Sequence, residues 1–191
     1  MVEDTTYKGV IAFHGHSCPG LAIGYRMTKA GLGFLAGSRS TDEELVAIVE
    51  NNACGVDALQ VLSGCTFGKG NLIFKDYGKH VYTLFDRKSK RGVRVVFNDR
   101  HVPEGMRADR EQFIQWLLAA PEAEIVSVKE VQIDEPEPAR IRKSVTCAFC
   151  GESIMETRAR DVGGKLACIP CAEKSGRPFA AEHHTGRIVA P

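Results

Sequence analysis

The sequence predicts a protein of mixed helix and strand with a small metal-stapled tail, and three observations predict it. Leu21 to Leu35 and Met106 to Ala120 carry apolar side chains mostly three or four apart, the spacing of amphipathic helices. Leu45 to Val49 and Val93 to Phe97 are short β-branched runs of the kind that form buried strands. Cys147-x2-Cys150 and Cys168-x2-Cys171 are paired knuckles near the end of the chain.

Composition sets the outer bounds. With 191 residues, 43% of them hydrophobic, the chain suits one ordinary domain and a small appendage. A net charge of +1 gives no global field that would draw nucleic acid or a membrane surface. Residues 139–191 hold nine Lys/Arg against five Asp/Glu, a net of +4, so the tail is mildly basic and the remainder carries −3. No run approaches the ~18 apolar residues of a membrane span. The opening M-V-E-D-T-T-Y-K lacks the basic-then-apolar order of a signal peptide, so a cytoplasmic protein is expected. In such a reducing compartment, seven cysteines with four in C-x2-C pairs argue for metal over disulfides.

Taken in order, Tyr7, Val10, Ile11 and His14 fall at helical spacing, predicting a short helix capped by Asp4 or Thr5, with a strand over Gly9 to Phe13 as the alternative. A second helix leaves from Pro19, and Gly31, Gly33, Gly37, Ser38 and Ser40 mark the loop after it. Leu45 to Val49 is a strand, and Gly55 to Ser63 a short helix stopped by Gly64. The segment G-C-T-F-G-K-G-N reads equally as an anion-binding turn built around Lys69 and as a tight connection into a strand over Asn71 to Lys75. His80 to Phe85 and Val93 to Phe97 form a hairpin whose tip, with Arg87, Lys88, Lys90 and Arg91, is read as a solvated loop. Met106 to Ala120, with Asp109 available as a cap, covers one face of the sheet, and Glu124 to Ile133 adds a last strand. D-E-P-E-P-A-R then reads as a linker.

Chemistry concentrates at Phe13 to Gly20, F-H-G-H-S-C-P-G. His14, His16 and Cys18 fall within five residues around a turn, and Cys18 stands at a helix N-terminus, where unpaired backbone N–H groups and the macrodipole favour a thiolate. Three such groups so close predict a metal or nucleophile site. Cys54 precedes the short helix and Cys65 follows it. That helix is about 12 Å long, whereas sulfurs on one zinc lie ~2.3 Å from the ion, so Cys54 is the better third ligand and Cys65 the poorer. Asp57, in the first turn, can hydrogen-bond a ligand, transfer a proton, or merely complement the helix dipole.

The tail gives the most specific pattern. Cys147, Cys150, Cys168 and Cys171 match a structural tetrathiolate zinc site, and an insert containing Gly163-Gly164 should form a hairpin that brings the knuckles together, with a short helix beginning near Cys171. Metal must contribute to the stability of so small a unit. His183 and His184 are spare ligands to an already complete tetrahedron. Arg158, Arg160, Lys165 and Arg187 make nucleic-acid contact the second reading, behind docking or stability.

F-H-G-H-S-C-P-G, C-G-V-D-A-L-Q (Cys54 to Gln60) and G-C-T-F-G-K-G-N (Gly64 to Asn71) together resemble the FmdE-like family, named for formylmethanofuran dehydrogenase, over roughly residues 5–135. The resemblance implies an α+β core over residues 1–135, with a mixed β-sheet flanked by helices and a somewhat thioredoxin-like character. It further implies a linker over 136–143 and a C-terminal treble-clef zinc finger over 144–191. It also implies a metal, often zinc, near the H-G-H-x-C turn, and association with molybdenum or tungsten formylmethanofuran dehydrogenase of methanogens and other anaerobes.

Three functions follow. The first is an accessory protein, expected as a homodimer, that holds a transition ion, zinc by its donor types, on Cys18, Cys54 and His16 with His14 as fourth ligand or support. The second is a metalloenzyme with an open coordination position and Asp57 or His14 moving protons. The third is a thiol-redox protein in which Cys18 attacks and Cys54 or Cys65 resolves.

Overall fold

A five-stranded mixed sheet organises the first part of the molecule. In the computed structural model, which describes residues 5–37 and 39–175, β1 (Leu45–Val49), β2 (Leu72–Phe74), β3 (Val81–Asp86), β4 (Arg91–Phe97) and β5 (Val126–Val131) lie in the order β2-β1-β3-β4-β5. β1 and β2 run parallel and the other pairs are antiparallel. All five residues of β1 are buried, which is why it reads as an unbroken apolar run rather than an alternating one.

The helices flank this sheet. They are α1 (Tyr7–His14), α2 (Pro19–Leu35), α3 (Gly55–Ser63), α4 (Arg110–Ala119) and the single turn α5 (Glu122–Ile125). Met27 of α2, Leu59 of α3 and Leu117 of α4 join Ala47, Val49, Tyr82, Leu84, Val93 and Val95 of the sheet in one buried cluster. Arg26 of α2 donates to the carbonyls of Leu117, Leu118 and Ala120 at 2.6, 2.9 and 2.7 Å, satisfying C-terminal carbonyls of α4 that have no partner within their helix.

Several local expectations are corrected. The first segment is a helix and not a strand, and its cap is Thr6, whose hydroxyl accepts from the Gly9 N–H, rather than Asp4 or Thr5. α2 runs through Gly31 and Gly33 instead of breaking there. Packing outweighs the ~1 kcal/mol cost of a helical glycine, because a Cβ on Gly31 would stand 2.9 Å from Leu84 Cδ1 and 3.0 Å from Val95 Cγ2. The segment before α4 is a separate 3-10 turn (Met106–Ala108), since Asp109 leaves helical geometry to cap Gln112 N–H at 3.0 Å. The hairpin tip is not freely solvated. Arg87 and Lys90 both bind Glu135, and Arg91 binds Glu130. Lys69 donates to the carbonyls of Thr41 and Asp42, so its ammonium closes a connection rather than addressing an anion.

The chain divides into two units, one running to Pro138 and the other beginning at Ala139. The second contains the hairpins β6 (Ser144–Thr146) with β7 (Ser153–Met155) and β8 (Arg160–Val162) with β9 (Lys165–Ala167), followed by α6 (Ile169–Lys174). Gly163 and Gly164, at φ 62° and 80°, supply the left-handed pair that a two-residue hairpin turn requires. His183, His184 and Arg187 lie outside the described residues. No helix among the described residues is long and apolar enough to cross a membrane.

The crossing of α2 and α3 sets the position of everything that follows, and it is closely fitted. A Cβ on Gly24 would lie 2.2 Å from the Gly55 carbonyl oxygen and 2.3 Å from its Cα. Gly24→Ala should therefore cost at least ~2 kcal/mol in chemical denaturation. Gly33→Ala, where nothing lies within 4 Å, should be neutral or stabilise by up to ~1 kcal/mol. Equal effects at the two positions would contradict the packing described.

Candidate metal centres

The H-G-H-S-C turn is assembled from three helix ends. α1 stops at Gly15, whose φ of 94° turns the chain sharply while its N–H closes on the Ile11 carbonyl at 2.7 Å. His14 and His16 fall on either side of that turn with ring centroids 4.6 Å apart. Ser17 is tied from two directions: its hydroxyl meets the Tyr7 hydroxyl at 3.0 Å, and its carbonyl accepts from Arg110 at 3.3 Å. Cys18 then caps α2, its sulfur accepting from the Leu21 N–H at 3.3 Å, with Pro19 in the first turn.

α3 supplies the remaining groups. Asn51 builds the turn into it by accepting from the Ala53 N–H at 3.0 Å and donating to the Lys79 carbonyl at 2.6 Å. Asp57, in its first turn, accepts from His14 Nδ1 at 2.6 Å and from Gln60 Nε2 at 3.3 Å. A carboxylate at that distance puts the imidazole proton on Nδ1 and leaves Nε2 as a bare lone pair. That Nε2 is buried and, among the described residues, has no hydrogen-bond partner. An orphaned buried nitrogen costs free energy unless something accepts its lone pair. One ligand atom from each of His14, His16 and Cys18 falls within 4.8 Å of the others. Donor type and geometry both fit a transition ion, in the arrangement where a carboxylate orients a ligating histidine.

The other cysteines behave differently from one another. Cys54, at the start of α3, lies outside that three-residue group, yet its thiol is within hydrogen-bonding reach of Cys18. Burial first, and then the Cys18 thiol, push its pKa above the ordinary value. Cys65 is not brought to this site: its thiol is fully buried, donates to the Leu45 carbonyl at 3.3 Å, and burial raises its pKa to about 11. His14 and Asp57 stand out in the sequence one by one, but nothing there joins them, since the bond spans 43 residues. The Tyr7 hydroxyl, Asn51 and Gln60 were assigned no part from the sequence, where their only signal is closeness to the ligand motifs.

In the second unit, one sulfur from each of Cys147, Cys150, Cys168 and Cys171 lies within 4.8 Å of the rest. The Cys150 and Cys168 sulfurs are 3.8 Å apart. The edge of a tetrahedron with ~2.3 Å zinc–sulfur bonds is ~3.8 Å, so this spacing suits a shared zinc. Backbone N–H groups of Cys150 and then Cys168 lower the Cys147 pKa to about 6, while the Cys168 thiol, ahead of burial, pushes Cys171 up to about 12. Four sulfurs this close cannot all ionise without a cation among them.

Fold and sites thus define a protein of two units: a mixed α+β core with a His/His/Cys group at its helix ends, and a four-cysteine zinc-finger domain. The chain belongs to the FmdE family, described as "FmdE, Molybdenum formylmethanofuran dehydrogenase operon", whose model matches residues 13–132. Residues 140–175 match the "Prokaryotic dksA/traR C4-type zinc finger". The crystal structure of an FmdE-like protein of tungsten formylmethanofuran dehydrogenase type, from Syntrophus aciditrophicus, is similar at TM-score 0.67 and 26% identity, over 89% of this chain and 90% of that one. A protein of Archaeoglobus fulgidus named "Probable S-adenosyl-L-methionine-binding protein" is 33% identical over 84% of this chain, which spans only 50% of that relative.

Cys147→Ser should lower the zinc content of protein purified without added metal by about one equivalent per chain, read by elemental analysis. Cys65→Ser should leave the metal content unchanged, and a loss there would contradict the separation of Cys65 from the His14 group.

Proposed function

We propose that this chain is a metal-binding accessory protein of a molybdenum- or tungsten-dependent formylmethanofuran dehydrogenase-type system. In this reading a transition ion sits in the core on His14, His16 and Cys18, and a structural zinc sits in the tail, whose knuckles, hairpin and short helix we read as a treble clef. The observation that carries it is the bare, buried Nε2 of His14, aimed among the donors of its neighbours while Asp57 holds Nδ1. Two imidazoles and a thiolate are donors suited to zinc, and nickel or iron are compatible with the same set.

Each residue has its own part. His14 and His16 supply nitrogen, Cys18 supplies sulfur from the start of α2, and Asp57 is a positioning residue that fixes the His14 ring and its tautomer rather than a proton-transfer group. Cys65 has no part. Three protein donors leave one position for a group from outside, and the exposure of His16 and Phe13 leaves a path to it from solvent. The partner class comes from the operon link of the family and the name of the Syntrophus relative, and we expect the assembly to be a homodimer. The Archaeoglobus relative's name describes a protein of which this chain spans half, so no ligand is carried over from it.

The same solvent-facing position favours a second reading, an enzyme that uses the ion as a Lewis acid. Azide binding to the cobalt-substituted core would support it, and an inert four-ligand spectrum would count against it.

Cobalt titration of metal-stripped protein tests the ligand set. Wild type should take up two ions per chain, and His14→Ala should lose the core ion while keeping the finger ion. Asp57→Asn should weaken core binding by roughly 10–100-fold with the finger affinity unchanged. Full, unweakened uptake of two ions by His14→Ala would overturn the assignment.

A further inference from the structure

Cys54 is the one thiol of the helix-end cluster that the proposed ligand set does not use, and it sits against a thiol that the set requires. Both sulfurs converge on Gly20. A Cβ there would lie 3.4 Å from Cys54 Cβ, 3.9 Å from Cys54 Sγ and 4.0 Å from Cys18 Sγ, so only the absence of a side chain lets the two cysteines share this space. The thiols are within hydrogen-bonding reach of each other. Each cysteine stands at the start of a helix, Cys18 before α2 and Cys54 before α3, and these helices are locked at the crossing of Gly24 and Gly55. The pair is thereby held together on rigid elements. Access is unequal, since Cys18 is 5% exposed and Cys54 is more open to solvent.

We infer that Cys18 and Cys54 form a redox pair that gates the core metal site: a small-molecule disulfide oxidises the pair to an internal disulfide and removes the only sulfur donor from the His14/His16/Cys18 group. This inference rests on the metal reading given above and adds a means of controlling it.

The exchange balances without any other reactant. The accessible Cys54 sulfur, as thiolate, attacks one sulfur of the small disulfide R–S–S–R. A Cys54–S–S–R bond forms, the original S–S bond breaks, and R–S⁻ leaves and takes up the proton that Cys54 gave to solvent. The Cys18 sulfur then attacks the Cys54 sulfur, the Cys18–Cys54 bond forms, and the second R–S⁻ leaves as thiol. Two protein thiols are oxidised and one small disulfide is reduced to two thiols. The order of attack follows accessibility, which reverses the expectation that Cys18 is the attacking group. Coupling runs both ways, because an ion on Cys18 occupies the sulfur that the second step needs. Metal-loaded protein is therefore slow to oxidise and oxidised protein does not load.

The test uses the full chain with zinc at both sites, exposed to oxidised glutathione. Zinc release is followed with a chromogenic chelator, and the disulfides are mapped on non-reduced peptides. Wild type should release about one zinc per chain, yield a linked Cys18–Cys54 peptide pair, and reload after treatment with dithiothreitol. Cys54→Ser should take up two zinc ions and lose the core ion at least tenfold more slowly. Release from Cys54→Ser at the wild-type rate would overturn the proposal, as would glutathione adducts without the linked pair. A Cys54→Ser chain that never loads the core would make Cys54 a ligand and overturn the gating while leaving a metal site in place. A wild-type chain that forms the linked pair but holds no core ion when reduced would overturn the gating and the metal reading together.

Discussion

The hydrogen bond from His14 Nδ1 to Asp57, 2.6 Å long, is the interaction on which the chemistry of the core depends. It joins the last residue of α1 to the first turn of α3, and it makes a choice that the rest of the imidazole must follow. With the proton held on Nδ1, Nε2 has only a lone pair to offer, and it offers it in a buried place among the donors of His16 and Cys18. Without that bond the ring could flip, change tautomer or turn to solvent, and the three donors would be an accident of a crowded turn. The carboxylate is partly open to solvent and also holds Gln60, so it is a fixed point and not a free base.

That bond is possible because of backbone constraints with no polar character of their own. Gly24 and Gly55 let α2 and α3 approach to backbone contact, and Gly15 turns the chain so that His14 and His16 fall side by side. The sheet beneath supplies the anchor, with Leu84 and Val95 packed against α2. Buried polar groups add specificity near the same place. The Glu50 carboxylate, at the end of β1 and almost fully buried, is paired with Arg94 of β4, so the strand that leads into α3 has a fixed register. Losing one partner of such a pair leaves a buried charge, which is why it constrains the strand more than its net energy suggests.

Much of the fold was legible in the sequence. β1 and the limits of α2 and α3 coincide with apolar period and glycine stops, because those signals are local. Expectations failed where tertiary contact overrode local chemistry. Gly31 and Gly33 looked like a break until the sheet was placed under them, and the hairpin cations looked solvated until Glu130 and Glu135 came round to meet them. The ligand types were legible too, since imidazole and thiol in five residues are rare enough to notice. The pairing of His14 with Asp57, the contact of Cys18 with Cys54 and the withdrawal of Cys65 toward Leu45 were not legible, because each is decided by how helices cross. The four-cysteine cluster of the tail needed no such help, since its spacing alone specifies the chemistry.

The most direct measurement is anomalous scattering at several metal edges, on crystals of protein purified without added metal. Two peaks per chain are expected. One lies about 2.3 Å from all four sulfurs of Cys147, Cys150, Cys168 and Cys171, and the other lies about 2.0 to 2.3 Å from His14 Nε2, a His16 nitrogen and the Cys18 sulfur. A single peak in the tail, with His14 Nε2 satisfied by a water or a neighbouring side chain, would contradict a metal centre in the core.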